Sequence, residues 1–537
     1  MSALPQRPSA INPPDTLWAR PVVVGTPETI PGVAAWLAST PESPKPLGCV
    51  VISEAGDDDA SADLIGGLTV LGTLDQLGVL HAATPITAAI VSLPSGMPAA
   101  TLKTRARLRQ LGIVERFVPT LADTLTTNIA RPVTPVQPGV DLVELIGRVP
   151  YGIDRRAVAR VVEGKRVLIT GAGGSIGSEL CRIAATFHPA QIILMERSEN
   201  ALFEIDRQLA RRFPDLPRKA LLHDVVDADQ TLRHMVALRP HTILHSAAHK
   251  HVPLMEDHPA HAVTNNLFGT KSIADAALAA GAERFVMISS DKAVNPTSVM
   301  GATKRLAEMY VQAMNAGQAG KLGPKTSFTM VRFGNVLGSA CSVLPIWGAQ
   351  LAEGGPITVT DPRMTRYFMT ITEAATLVIQ AAAIDAHAAP HSPTIFVLDM
   401  GEPVKILDLA QRFVRLNGFE PRMLGGANGG KPTNPAGLRL AGREIDVVFT
   451  GQRPGEKLYE ELAYDAEALR PTPYPGIMAL GASTHADFDV AGMVAELSAL
   501  RSSPSREAVV EAIRRHVPEM TRPGKASGAS ALPIDTE

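Results

Sequence analysis

Hydrophobic and polar positions along this chain fall into short apolar runs separated by amphipathic stretches, a pattern that predicts strands alternating with helices. From Arg20 onward, RPVVVG, LGCVVIS and TAAIVSLP alternate with helix-like segments such as TLKTRARLRQLGI, which implies a small α/β domain with a parallel sheet. The stretch IARPVTPVQPGVDLVELIGRVPYGID, from Ile129, is proline-rich and reads as a linker with a short docking helix. Near Asp154 the alternation resumes and runs to about residue 520. The expected organisation is therefore a disordered start over 1–18, a small α/β domain over 19–128, a linker over 129–153, a large α/β domain over 154–520 and a disordered tail over 521–537.

The large unit opens with KRVLITGAGGSIGSELCRIAATF, which reads as strand, glycine turn and helix. Gly171, Gly174 and Gly177, with Ser175 and Ile176 between the last two, form a GxxGxxG turn. Such a turn lets the backbone approach a pyrophosphate and aims a helix N-terminus at its charge. Glycine turns are common, so the context carries the weight: a second strand, QIILME, ends in Glu196, nineteen residues after Gly177. An acid there can bind ribose hydroxyls and disfavours a 2′-phosphate, which points to NAD, whereas Arg197, followed by Ser198, could grip that phosphate as NADP. Further on, LLHDVVD places Asp224 and Val225 at a strand end, where Asp224 is either an adenine contact or a helix cap. ILHSAAHKHVP places Ala247, Ala248 and Lys250 after the fourth strand. The fold class expected is α/β, a doubly wound parallel, Rossmann-like sheet with a smaller substrate-binding lobe.

Composition narrows the partners. A chain of 537 residues suggests two or three domains, and 51 basic against 53 acidic residues leave no nucleic-acid footprint. Cys49, Cys181 and Cys341 lie far apart, without disulfide or zinc-ligand spacing. The proline-rich N-terminus MSALPQRPSAINPPDTLW does not resemble a signal peptide, and no apolar run spans a bilayer. The expectation is a soluble, cytoplasmic protein with no transmembrane segment and no bound metal.

The chemistry is concentrated in SSDKAVNPTSVMGATKR, residues 289–305, after the fifth strand, RFVMI. In a doubly wound sheet, ligands bind at the C-terminal ends of the strands. Ser290, Asp291 and Lys292 sit at that end, and Lys304 lies on the helix that follows. These stretches, together with TGAGGSIGSEL, AAHKHVPLMEDHP, VRFGNVLGS, TRYFMTITEA, LDMGEPVKILDLA and TGQRPGEKLYEEL, resemble the bacterial UDP-N-acetylglucosamine 4,6-dehydratases of the polysaccharide-biosynthesis type, within the extended short-chain dehydrogenase/reductase family. The resemblance runs over nearly all of residues 130–480.

The resemblance implies a UDP-sugar substrate, a recycled NAD or NADP, a homo-oligomer, and dehydration through transient C4 oxidation, C5 deprotonation and loss of the C6 hydroxyl. Asp291 resembles the general acid and Lys292 the C5 base, while Lys304 would hold the nicotinamide ribose. A base needs a free amine, so desolvation or Lys304 is expected to lower the pKa of Lys292 and to leave that of Asp291 raised. Met300 stands where shorter relatives keep tyrosine; the larger members share the methionine, which shapes an apolar wall. The C4 hydroxyl proton then falls to Ser290, Asp291 or a water.

The resemblance also implies substrate contacts at Asn335, Arg366, Arg453 and Glu456, and the chemistry agrees: guanidinium forks match phosphate oxygens and a carboxylate can accept ribose hydroxyls. Cys341 departs from the family's usual glycine. Ile406, Leu407, Leu409, Ala410 and Phe413 read as core of the substrate lobe. The larger members usually begin with membrane helices and a small Rossmann-like domain; this chain is expected to keep a shortened small domain without the membrane helices. Two other readings compete: a 4-epimerase, which should want tyrosine at 300, and a non-catalytic dinucleotide-binding scaffold.

Overall fold

The computed structural model describes residues 20–39, 45–52, 63–94, 97–118, 145, 150–318, 325–385, 394–417, 419–424, 444–464, 469–481 and 488–520. The expected disordered ends and most of the expected linker fall outside these residues. The chain divides into two compact units, Met1–Ala130 and Arg131–Glu537.

In the first unit the predicted runs become the strands Pro21–Gly25, Cys49–Val51 and Ala88–Ser92, and TLKTRARLRQ lies in the helix Pro98–Gln110. The sheet runs Leu64–Ile65, Leu68–Thr73, Cys49–Val51, Pro21–Gly25, Ala88–Ser92, Val114–Phe117, and it is parallel except for the hairpin at its first edge. Alternate residues of the central strand feed opposite faces: Val22 and Val24 join one apolar cluster and Val23 the other. A strand covered on both sides reads as a continuous apolar run, which is why PVVVG contains no polar position.

The second unit is built on a nine-stranded sheet. Its parallel part runs Arg218–Leu222, Gln191–Glu196, Arg166–Thr170, Thr242–His245, Arg284–Ile288, Ser327–Arg332, Ile395–Leu398. Ile477–Leu480 and Leu469–Pro471 extend it antiparallel. The order reverses between Arg166–Thr170 and Thr242–His245, which opens a crevice at the C-terminal strand ends. Both faces are covered: Leu168 packs into one core cluster, Val167 and Ile169 into the other.

A smaller lobe completes this unit. Its parallel three-stranded sheet pairs Ile357–Val359, Glu444–Phe449 and Glu420–Leu424. Trp347 fills its core, and the indole Nε1 donates to the Thr358 carbonyl at 2.8 Å. The helix Ile406–Leu416 buries Ile406, Leu409, Ala410, Phe413 and Val414 here, while Leu407 is only half-buried. The strand before it, Ile395–Leu398, belongs to the main sheet rather than to the lobe. VRFGNVLGSACSVLP is also more ordered than strand and loop: a short strand, Asn335–Leu337, pairs with Phe368–Thr370, and a helix starts at Val343.

Candidate active site

The glycine turn is held by contacts that leave no room for a side chain. A Cβ on Gly177 would lie 2.0 Å from the Gly171 carbonyl oxygen and 2.8 Å from Ser246 Oγ. Gly171 itself adopts φ +61°, a conformation open to glycine. The helix Ser175–Ala185 therefore starts hard against the strand, and its cap residue, Gly174, offers no side-chain acceptor to the first backbone N–H groups. Those free donors at a helix N-terminus suit a pyrophosphate. Glu196 braces the turn: its carboxylate accepts from Gly173 N at 3.2 Å and from Arg197 N and Ser198 N at 3.0 Å. Arg197 Nη1 reaches Asn265 Oδ1 at 3.3 Å and lies 3.8 Å from Asp224.

Asp224 is not a helix cap. Its Oδ1 accepts from Val226 N at 3.1 Å, and Asp227 caps the helix Ala228–Leu238. Val225 is buried beneath this turn, and Ser198 caps the helix Glu199–Arg212. Ala247 N donates to Thr170 Oγ1 at 3.2 Å, and Lys250 Nζ donates to the Ala340 carbonyl at 2.9 Å. The cradle residues present thus fit a dinucleotide by steric and donor chemistry alike.

Across the crevice, the strand Arg284–Ile288 ends in a turn that presents Ser290, Asp291 and Lys292. Gly301, in the first turn of the helix Val299–Ala316, brings that helix against it, for a Cβ there would sit 2.1 Å from the Lys292 carbonyl oxygen. Lys292 Nζ donates to Asp291 Oδ1 and Asn335 Oδ1, both at 3.0 Å, and lies 3.5 Å from Glu460 Oε1. Ser290 Oγ donates to the same Asp291 oxygen at 2.8 Å. Asp291 is fully buried, and its Oδ2 has no hydrogen-bond partner among the described residues.

This arrangement corrects the expectation for Lys292. Burial alone would lower its pKa, but the carboxylates of Asp291 and Glu460 outweigh burial and the opposing charge of Arg366, so the pKa is raised and the side chain rests as an ammonium. Lys304 is lowered instead: burial brings it to about 8 against a favourable pull from Glu308. Its Nζ donates to the Ile288 carbonyl at 2.6 Å. Met300 is buried one turn earlier and packs into the apolar core.

Beneath the turn lies a buried ion network. Arg332 Nε and Nη2 donate to Glu308 at 2.8 and 2.7 Å, Ser289 Oγ donates to it at 2.7 Å, and Arg305 Nη1 lies at 3.3 Å. The network ties the helix bearing Met300 and Lys304 to two strands of the sheet.

Of the expected substrate contacts, Asn335 is joined to Lys292 directly. Arg366 is buried and already employed: Nη1 donates to the Thr365 and Leu458 carbonyls at 2.7 and 3.2 Å, and Nη2 to that of Lys457 at 2.8 Å. Arg453 is exposed and pairs with Glu456, its Nε donating to Oε1 at 3.0 Å. Cys341, where the resemblance led to an expected glycine, holds φ +57°, a conformation that favours glycine.

A cavity of about 800 Å³ joins these parts. Gly171, Gly174, Ser175, Ile176 and Gly177 line it together with Ala248 and Lys250 on one side, and Ser290, Lys292, Met300, Lys304, Asn335, Arg366, Arg453 and Glu456 on the other. Its size falls in the range of small-molecule and cofactor sites. Glu196, Arg197, Ser198, Asp224, Val225 and Ala247 are not among its lining residues, and neither is Asp291, which lies behind Lys292. Glu460 does line it and was not singled out from the sequence, although it sits in the quoted TGQRPGEKLYEEL.

Residues 167–482, which include every strand of the nine-stranded sheet except part of Arg166–Thr170, match the polysaccharide biosynthesis protein family. The chain belongs to this family. It is 46% identical over 348 residues to a probable polysaccharide biosynthesis protein, EpsC, of Bacillus subtilis, covering 65% of this chain and 53% of that protein. It is 45% identical over 324 residues to the capsular polysaccharide biosynthesis protein CapD of Staphylococcus aureus, covering 60% and 49%. The chain thus spans about half the length of these two relatives. A UDP-N-acetylglucosamine 4,6-dehydratase (inverting) of Campylobacter jejuni is 32% identical over 219 residues, 40% of this chain and 63% of that protein. Among the described residues no helix is long and apolar enough to cross a membrane, and no cluster of His, Cys, Asp or Glu is placed to hold a metal ion.

Proposed function

We propose that this family member is a nucleotide-sugar 4,6-dehydratase acting on UDP-N-acetylglucosamine with NAD. The observation that carries the reading is Lys292, at the wall of the cavity that the glycine cradle also lines, bonded at 3.0 Å to Asp291 behind it. An epimerase has no use for an acid–base pair beside the sugar, and a scaffold has no use for two buried carboxylates around one lysine. Similarity to the Campylobacter dehydratase points the same way.

When bound, a nicotinamide dinucleotide supplies a reversible two-electron acceptor for C4 of the sugar, and the C4 ketone makes the C5 proton acidic. The chain's own groups handle the protons. Lys292 takes the C5 proton once its resting proton has passed to a neighbouring carboxylate, and Asp291 hands to the departing C6 hydroxyl the proton that it receives from the C4 hydroxyl through Ser290. Ser290, whose hydroxyl leans on Asp291, relays the C4 hydroxyl proton in place of tyrosine. Lys304 holds the nicotinamide ribose, and Met300 keeps the sugar face dry. Glu196 favours NAD through like-charge exclusion of a 2′-phosphate, with Arg197 turned toward Asn265 and Asp224.

Arg453 and Glu456 reach the UDP from the cavity rim, and Arg366 frames the same loop. Incubation with UDP-N-acetylglucosamine followed by proton NMR tests the assignment. A 4-keto-6-deoxy product is expected; a galacto product would establish the epimerase instead, and unchanged sugar would overturn the reading.

A further inference from the structure

Glu460 is a carboxylate in a place where carboxylates are costly. Its side chain is 2% exposed, it lines the cavity, and its Oε2 has no hydrogen-bond partner among the described residues. An ionised carboxylate taken out of water needs cations close by. Two are present: Lys292 Nζ at 3.5 Å and Arg366 Nε at 3.6 Å from the same Oε1. Both are charge contacts at the edge of hydrogen-bonding range, so Glu460 is held by field more than by geometry.

Arg366 has committed both terminal nitrogens to backbone carbonyls at 365, 457 and 458, which leaves Nε for Glu460 and fixes the loop that bears it. Asp291 Oδ1, for its part, already accepts from both Ser290 and Lys292. Lys292 thus faces Asp291 on its own turn, Asn335 from the neighbouring short strand, and Glu460 and Arg366 from the substrate side. Two anions and two cations balance, and of the two cations the lysine is the one that can give up its proton.

We propose that Glu460 is a positioning residue that sets the protonation state of Lys292 and receives its proton before C5 is attacked. The transfer balances within the pair: the ammonium and carboxylate become amine and carboxylic acid. When the amine has taken the C5 proton it is an ammonium again while Glu460 holds the proton it received; the ammonium gives its proton back to C5 as the product forms, and Glu460 returns its own to the amine, so the pair ends as it began. This rests on the dehydratase reading for its catalytic consequence, but the coupling between Glu460 and Lys292 does not.

The test has two arms. In the first, the full chain without substrate is labelled with limiting acetic anhydride across pH, and mass spectrometry follows acetylation of Lys292. Glu460→Gln removes one of the two facing carboxylates and should move the Lys292 titration to lower pH by about one unit or more, while Glu460→Asp should keep most of the wild-type value. A Glu460→Gln curve superimposable on wild type overturns the proposal. Should the glutamine variant fail to fold by circular dichroism, Glu460→Asp carries the test, since the shorter carboxylate lies farther from Nζ and must give a smaller displacement in the same direction; no displacement overturns it.

In the second arm, the pH–rate profile for 4-keto product from UDP-N-acetylglucosamine is compared between wild type and variants. The ascending limb should move with the labelling curve, and the maximal rate should fall at least tenfold in Glu460→Gln and recover partly in Glu460→Asp. A limb that stays put while labelling moves overturns the catalytic role. A wild type that labels as expected yet turns over nothing overturns the dehydratase reading and leaves the coupling intact.

Discussion

Replacing Glu308 by glutamine probes the network beneath the site more sharply than any substitution in it. Glu308 is fully buried, accepts two bonds from Arg332 and one from Ser289, and faces Arg305; burial would raise its pKa, yet these partners hold it at about 2. The fall from an ordinary 4.5 to about 2 corresponds to about 3 kcal/mol of stability. Because the folded-state pKa is depressed, that stability is fully present above about pH 4.5 and is lost as pH falls toward 2. Glu308→Gln also leaves two buried guanidinium groups facing each other, so the total loss near neutrality should be about 3–5 kcal/mol.

With a urea dependence of about 3 kcal/mol per molar or more for a unit of this size, the midpoint should drop by roughly 1 M at pH 7. The transition is followed by tryptophan fluorescence, to which Trp347, buried in the second unit, contributes. The pH series is the decisive part: about 2 kcal/mol of the difference between wild type and variant should have gone by pH 3. A difference below about 1 kcal/mol at pH 7, or one that stays constant from pH 7 to pH 3, would falsify the argument that Arg332 and Arg305 are held by an ionised Glu308.

Three other substitutions follow from single geometric facts. Gly177→Ala places a methyl 2.0 Å from the Gly171 carbonyl, and the turn must open; about 3 kcal/mol of overpacking predicts a loss of roughly a hundredfold in dinucleotide affinity by calorimetry, and unchanged affinity would show that the turn does not grip the pyrophosphate. Lys304→Met removes a buried charge whose folded-state pKa is depressed from 10.5 to about 8. The depression penalises folding below pH 8 by about 3 kcal/mol, the orphaned Ile288 carbonyl returns about 1–2 of this, and the variant should be about 1–2 kcal/mol more stable at pH 7 while inactive. The gain should fade as pH rises from 8 to 10.5, where wild type sheds the proton in the folded state; a variant less stable than wild type at pH 7 contradicts this. Cys341→Gly relieves a side chain at φ +57° and should raise the urea midpoint by the equivalent of up to about 1 kcal/mol; a lowered midpoint would mean that the thiol packs better than the backbone strains.

Much of the large unit was legible because its signals are local. The strands KRVLIT, QIILME and RFVMI are apolar runs buried on both faces, and their ends carry the turn chemistry that stops them. The cradle announces itself because three glycines at fixed spacing have a steric reason, seen in the 2.0 Å approach at Gly177. Two regions were less legible. Ile395–Leu398 has nothing in its own residues to say that it joins the main sheet beside Ser327–Arg332 rather than the lobe whose helix it precedes. Asp224 could be contact or cap until Asp227, three residues on, was seen capping the helix.

The site divides along the same line. Asp291, Lys292, Met300 and Lys304 occupy one turn and the helix behind it, so a short stretch of sequence determined which groups share that wall. The charge state of Lys292 depended on residues far along the chain. Glu460 lies 168 positions after Lys292 yet stands 3.5 Å from its nitrogen, and it helps turn an expected free amine into an ammonium. Arg366, read as a free phosphate fork, is spent on carbonyls at 457 and 458. Periodicity, turn chemistry and glycine spacing act over a few residues and are written in order along the chain; desolvation and Coulomb coupling depend on distance in space, which only the folded arrangement sets.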